Sequence, residues 1–456
     1  MASGGAGAGE EAANATRPPD AIRTSYTDPI GLTVRPGDDR SIMSVLSHGH
    51  NSTEEPYEHA ILRFSTPAEA AGLRKVHREF EEGVAITRFN DLDTSVTDFR
   101  RWRAANPSAV SLRLSENANV DEFVAFAKSG ALAGPEGRPG LLRLSMRETD
   151  IANDGARALA AALRYLPHLQ ELRADENDIG DAGAAALAAA LPPALTTLNL
   201  SFNQIEAAGT AALAAALPRL RSFTTLDLFG NGRMGAAGIA ALVQGLPATL
   251  QVLDLGRCHM GDAGAAALAA ALPPALTHLE ISANDLTVAG LRALVQRLPA
   301  TLRKLRLDGN LFGPEGARDV AAALPGLPAL QVLGLRNCRL GDEGVRALLP
   351  ALQGHPELTE LRLQYNGISA GGAEALVPVL LTLPKLRKLG VFEDHERHAG
   401  LLGALRAAFP GKPITKHFVD GTITIERRNN RRRSTRRNST RRNDQRKQQR
   451  RQSQAA

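Results

Sequence analysis

At 456 residues the chain is long enough for two or three ordinary domains or one extended solenoid; its 43% apolar content includes only 4% aromatics, so Leu and Ala must fill the core. Two cysteines, Cys258 and Cys338, exclude a disulfide framework and offer no zinc spacing, while the lack of an 18-residue apolar run or a basic-then-apolar leader places the expected compartment in the cytoplasm or nucleus, with no membrane partner. The net charge of +6 is local: residues 426–456 hold thirteen Arg or Lys against Glu426 and Asp444, a net of +11, which leaves −5 for the rest.

Residues 1–50 are expected to be disordered, and residues 51–105 read as a helical head. Within the head, Pro56-Tyr-Glu58 is followed by Ile61-Leu62-Arg-Phe64 and then by Leu73-Arg-Lys-Val76-His-Arg78-Glu-Phe80. This pattern resembles an F-box, which implies docking on the Skp adaptor of cullin ubiquitin ligases through Ile61, Leu62, Leu73, Val76 and Phe80. It departs from the family where Phe64 stands near the usual leucine and Glu55 precedes the proline, and its first helix is about two residues short. The other reading of the same residues is a helical cap for the segment C-terminal to them. Residues 106–140 hold a degenerate first repeat, Leu112-Arg-Leu114-Ser-Glu-Asn117, and an irregular Gly/Pro stretch.

From Leu141 to about residue 410 the chain repeats itself. The clearest copy is Leu195-Thr-Thr-Leu198-Asn-Leu200-Ser-Phe-Asn203-Gln-Ile205-Glu-Ala-Ala-Gly209, followed by Leu213 and Leu217. Its opening residue recurs as Leu141, Leu169, Leu195, Phe223, Leu250, Leu276, Leu302, Leu330, Leu358 and Leu386, ten copies at gaps of 26 to 28. Leu198 and Leu200 alternate as in a half-buried strand, whereas Leu213 and Leu217 share one helix face, so each copy predicts a strand, a turn and a helix. Stacked copies predict an α/β right-handed solenoid, a horseshoe with one parallel sheet on the concave face and helices on the convex face, because a helix is wider than a strand. A glycine precedes each predicted helix, at 155, 183, 209, 238, 264, 290, 316, 344 and 372, and is expected in a turn where helix and strand pack closely. Asp181, Asp262 and Asp342 just ahead of it read as helix caps. Asn177, Asn203, Asn231, Asn284, Asn310 and Asn366 share one slot with Cys258 and Cys338, and bonds within the turn are expected there, which gives the cysteines a structural role. The pattern LxxLxLxxN/CxIxxxGxxxLxxxL resembles the ribonuclease-inhibitor-like class of leucine-rich repeats, and Gly-Ala-Ala-Ala-Leu at 183–187 and 264–268 is similar to the GALA variety of bacterial effector repeats.

The expected functional surface is the inner face of the sheet. Its middle column reads Ser145, Arg173, Asn199, Asp227, Asp254, Glu280, Arg306, Gly334, Arg362 and Gly390. Asp227, Asp254 and Glu280 form an acidic strip there, Lys304, Arg306, Arg336, Arg362 and Lys388 a basic one, and Phe229 and Phe392 add exposed aromatic area. A protein ligand is expected on this face, the alternative being a solvated, charge-mixed surface.

Asp394-His395-Glu396-Arg397-His398 lacks helical zinc spacing and reads as a loop where the last repeat decays; no phosphate loop or nucleophile elbow occurs, so neither cofactor nor metal is expected. Residues 411–425 form a terminal strand or cap. The tail from residue 426, with Arg431, Arg432, Arg433, Arg436, Arg437, Arg441 and Arg442, cannot bury a core; disorder is expected, with an import receptor or non-specific nucleic acid as partner. The sequence therefore predicts a non-catalytic scaffold, or an F-box-type substrate adaptor. The rivals are a GTPase-activating regulator of the Ran activator type, whose resemblance implies an acidic region where this chain is basic, and nucleic-acid binding through the tail.

Overall fold

The computed structural model describes residues 26–27, 33–34, 111–114, 120–132, 140–391, 398–408, 414–416 and 422–425. The chain divides into two compact units, residues 1–77 and 78–456. In the first, β1 (Tyr26–Thr27) and β2 (Thr33–Val34) pair antiparallel. The F-box-like residues Ile61, Leu62, Leu73, Val76 and Phe80 lie outside the described residues, as do Phe392, the His395 segment and the basic tail.

The second unit alternates strand and helix. Its strands are β3 (Ser111–Arg113), β4 (Arg143–Ser145), β5 (Glu171–Arg173), β6 (Thr197–Asn199), β7 (Thr225–Asp227), β8 (Val252–Asp254), β9 (His278–Glu280), β10 (Lys304–Arg306), β11 (Val332–Gly334), β12 (Glu360–Arg362) and β13 (Lys388–Gly390). The helices are α1 (Val120–Lys128), α2 (Asn153–Leu163), α3 (Asp181–Ala190), α4 (Ala207–Ala216), α5 (Gly235–Leu242), α6 (Gly261–Ala270), α7 (Val288–Val295), α8 (Gly313–Ala323), α9 (Gly341–Leu352), α10 (Ala370–Thr382) and α11 (His398–Ala408). β3 to β13 pair in chain order, each parallel to the next, in an open sheet. The degenerate copy at Leu112 joins in register with β4. β14 (Ile414–Lys416) and β15 (Thr422–Ile425) close the far edge antiparallel, β15 pairing with β13. This is the α/β leucine-rich-repeat solenoid that the repeats predict, with the sheet on one face and the helices on the other.

Each three-residue strand centres on one leucine that points into the core, as Leu198, Leu226 and Leu253 do, and its two flanking side chains point to the sheet's other face. The helices can be short and Ala-rich because neighbours pack on both sides: in α3, Ala184, Leu187 and Ala188 are buried. At the N-terminal end of the described repeats α1 packs on α2 and buries Phe123 and Phe126.

The repeats are stitched together by two polar devices. Asn310, fully buried, accepts the backbone N–H groups of Asn284 (2.9 Å) and Leu286 (3.2 Å) in the preceding copy and donates to the carbonyls of Ile281 and Leu307 (2.9 Å each). The expectation of bonds within the turn covers only part of this, because three of the four bonds cross to the preceding copy. Cys258 and Cys338 keep the donor bond that crosses between copies: their thiols donate to Leu228 and Leu307 of the preceding copies at 3.3 and 3.4 Å. Both cysteines are buried and unpaired by any disulfide; burial pushes the Cys258 thiol up to about 12 and raises that of Cys338 as well.

The second device corrects the reading of the aspartates. Asp181, Asp262 and Asp342 lie inside the first turn of α3, α6 and α9 and act on the next copy's helix rather than their own. Asp181 Oδ1 accepts the N–H groups of Glu206 and Gly209 (2.8 Å each), Asp262 those of Thr287 together with its hydroxyl, and Asp342 those of Ser369 likewise. The glycines need the same correction. They stand within the helices, and a Cβ on Gly209 would lie 2.6 Å from Asp181 Oδ1, so glycine there makes room for the neighbour's carboxylate.

Candidate functional site

The register aligns the predicted middle column: Asp227 pairs with Asp254, Asp254 with Glu280, Glu280 with Arg306, Arg306 with Gly334 and Gly334 with Arg362. The acids and the bases are therefore neighbours in one row across the sheet. They are also more buried than a solvated face implies: Glu280 and Arg362 are each 9% exposed.

Part of each acid is engaged by the backbone. Asp227, Asp254 and Glu280 each accept, at 3.0 Å, the N–H two residues on, from Phe229, Gly256 and Ser282. Asn199 does the same for Ser201 at 2.8 Å, which shows that the bond needs an oxygen and not a charge. Burial, then the charges of Asp227 and Glu280, raise Asp254 to about 8, so it holds a proton at neutral pH. Glu280 is raised by burial too, and its other oxygen lies 3.5 Å from Arg306 Nε.

The basic strip begins there. Lys304 titrates below its ordinary value because it is buried and faces Arg306. Arg362 is ion-paired to Glu360, and Asp308 accepts the backbone N–H of Arg336 at 2.6 Å. Sequence reasoning missed Asp308, which stands two residues past the middle column where its carboxyl faces Arg306, Arg336 and Arg362; burial raises it nonetheless. Gly334 explains its placement, since a Cβ there would meet both Asp308 oxygens at 2.9 Å. Nearer the N-terminus Arg147 and Arg173 hold Asp175 in a similar network. Lys388 lies in register beside Glu360 on the last parallel strand.

The aromatic part of the site differs from the expectation. Phe229 packs against Phe202 with ring centroids 5.1 Å apart and tilted by 54°, and the Arg257 guanidinium lies 5.7 Å from the Phe229 centroid. Gly256 and Gly230 form the floor: a Cβ would meet the Phe229 ring at 2.5 Å and the Phe202 ring at 2.8 Å. Phe202 was missed because its slot is a left-handed turn position, held at positive φ also by Glu148, Glu176, Gly230, Arg257, Ala283, Gly309, Asn337 and Tyr365. Such a slot favours Gly or Asn over a bulky ring. Phe202 (φ 50°) and Tyr365 (φ 60°) nevertheless place rings there that stay 46% and 51% exposed. The ring contact with Phe229 offsets part of that cost at Phe202.

Among the described residues no group of three or more His, Cys, Asp or Glu could hold a metal ion, and no helix is long and apolar enough to cross a membrane.

Comparison with known proteins agrees with the repeat architecture. The family described as Leucine Rich repeat matches residues 165–188, 193–214, 219–243, 247–269, 274–295, 327–349 and 355–377. Similar solved structures include the yeast complex of Rad7 and Elc1, at 18% identity and TM-score 0.43 over 66% of this chain and 84% of that one. Another is the leucine-rich repeat-containing protein LegL7 from Legionella pneumophila, at 20% identity and TM-score 0.42 over 65% and 96%. No curated protein matches. Seven stretches of the chain are thus leucine-rich repeats. Repeats of this kind point to a protein-binding scaffold.

Proposed function

We propose that this protein is a non-catalytic scaffold that holds a protein ligand on the sheet face of its repeat array and, through the F-box-like pattern at residues 56–83, delivers it to a Skp-type adaptor. The observation that carries the first half is the pair of half-exposed rings, Phe202 and Tyr365, held at positive φ along the turn edge of that face. Strained, exposed aromatics cost stability, and residues of this type are enriched where binding energy concentrates. The pattern at 56–83 is what supports the second half, and the tail supplies a separate polycation that suits an import receptor or nucleic acid.

The test uses the full chain. A captured protein partner is titrated against Phe202→Ser and Arg257→Ser on the sheet side, and against Arg157→Ser on α2 and Arg292→Ser on α7. The sheet-side variants should weaken binding about tenfold or more, a typical loss for a central contact, and the helix variants should leave it unchanged. Equal effects from both sets contradict the reading. Replacing Leu73, Val76 and Phe80 by Ala should remove a Skp-type adaptor and spare the ligand, whereas unchanged adaptor binding ends the delivery role. Deleting residues 427–456 should remove only a steeply salt-dependent polyanion interaction.

A further inference from the structure

We propose that the Phe202–Phe229 shelf and the adjoining carboxyls of β7, β8 and β9 bind a protein segment that presents a Lys or Arg side chain two residues from an aromatic or aliphatic one. This rests on the scaffold reading and specifies the partner's chemistry.

The shelf is a built surface. Phe229 is fixed from three sides, by Phe202, by Arg257 and by the Gly256 floor, and the exposed edge of Phe202 continues it outward. An apolar side chain laid on it meets rings already held in place, so little rotamer entropy is lost on binding.

Charge selects what stands beside that side chain. The groups facing the shelf are Asn199 and Ser201 from β6 and its turn, Asp227 from β7, Asp254 and Arg257 from β8 and its turn, and Glu280 from β9. His278 on β9 also faces this stretch, and its burial beside Lys304 and Arg303 lowers its pKa, so it stays neutral near pH 7. Three carboxyls, of which Asp254 is protonated near neutral pH and Glu280 is shared with Arg306, thus stand beside the Arg257 guanidinium, and Lys304 and Arg306 follow on β10. A polyanion or an acidic segment meets like charge here, while a cation meets its complement.

The spacing agrees. Strands lie about 4.8 Å apart, and residues two apart in an extended segment are roughly 6.5 Å apart. A segment crossing the strands can therefore set a cation over β8 while its neighbour rests on the shelf between β6 and β7. Because Asp254 is raised to about 8, an arriving cation displaces its proton, and binding tightens as pH rises.

Peptides displayed on phage and panned against the full-length protein test this. The selected sequences should share a Lys or Arg two positions from an aromatic or aliphatic residue. A synthetic peptide of the selected sequence should bind about 30-fold more weakly to Phe202→Ser and to Asp254→Asn, and more tightly at pH 8.5 than at pH 6. Asn at 254 keeps the backbone bond, as Asn199 does, so that variant loses the charge and keeps the turn. Selected peptides that are acidic or lack a cation overturn the proposal, as does binding indifferent to both variants. A synthetic peptide of residues 427–456 that depends on Asp254 but not on Phe202 overturns it as well, and assigns the carboxyls to the chain's own tail. Cation-free peptides that still map to other sheet-face residues refute this inference and leave the scaffold reading standing; peptides that map to the helices refute both.

Discussion

Replacing Asn310 by Ala tests the device that joins one repeat to the next. The side chain is fully buried and makes four bonds, two accepted from Asn284 and Leu286 and two donated to Ile281 and Leu307. The substitution leaves two buried N–H groups without their acceptor, at about 1–3 kcal/mol each, and removes two donated bonds at about 1 kcal/mol each. The expected cost is about 4–8 kcal/mol, a large part of the ~5–15 kcal/mol that holds a typical fold. Asn310→Cys should cost less, since Cys258 and Cys338 show that a thiol in this slot retains the donor bond to the preceding copy. Urea unfolding followed by far-ultraviolet circular dichroism gives the difference, and amide hydrogen exchange should be faster at Asn284 and Leu286 in particular. An Ala variant within about 1 kcal/mol of the parent, or Cys and Ala variants of equal stability, would refute the reasoning.

The remaining predictions concern pH, the cross-repeat caps and the buried thiols. Asp254 has a folded pKa raised above its unfolded value, so the native state holds a proton that the unfolded chain has lost; stability should fall as pH rises from about 4 to about 8 and then level off. Asp254→Asn should flatten that decline, so that it gains on the parent as pH rises across that window; parallel stability-pH curves for the two proteins would exclude it. Gly209→Ala, though favourable for a helix by ~1 kcal/mol, should destabilise because its Cβ meets the Asp181 carboxylate, and Asp181→Ala in the same chain should absorb part of that loss. Additive losses in a double-mutant cycle would dismiss the cross-repeat cap. Cys258 and Cys338, buried and raised in pKa, should resist a thiol reagent at pH 8 in the folded protein and both react in urea; labelling of the native protein would count against the assigned burial.

The strand and helix of each copy were legible because their signals are local. Leu198 and Leu200 two apart, then Leu213 and Leu217 four apart, state the change of period within one copy. Devices that span two copies were not legible. Asp181 reads as the cap of its own helix until the next copy's Gly209 is set 28 residues on and in contact with it. The register of the middle column was readable from the repeat period, and so was the meeting of acids and bases at Glu280 and Arg306. Their burial was not, because it depends on how closely neighbouring side chains lie over a narrow row. Asp308 escaped because it stands two residues past that row, and Phe202 because its slot reads as a turn. An aromatic residue at a turn slot filled in the other copies by Glu, Gly, Arg, Ala or Asn is a signal that could have found Phe202 and Tyr365.

The central claim, that the sheet face is where a protein ligand sits, is tested most directly by site-specific photo-crosslinking in the full-length protein. A benzophenone side chain replaces Phe202 or Tyr365 on the sheet side, or Leu381, an exposed apolar residue of α10 in the helix layer. The account predicts one discrete protein adduct from positions 202 and 365 and none from 381. Adducts from 381 alone, or equal yields at all three positions, would contradict it.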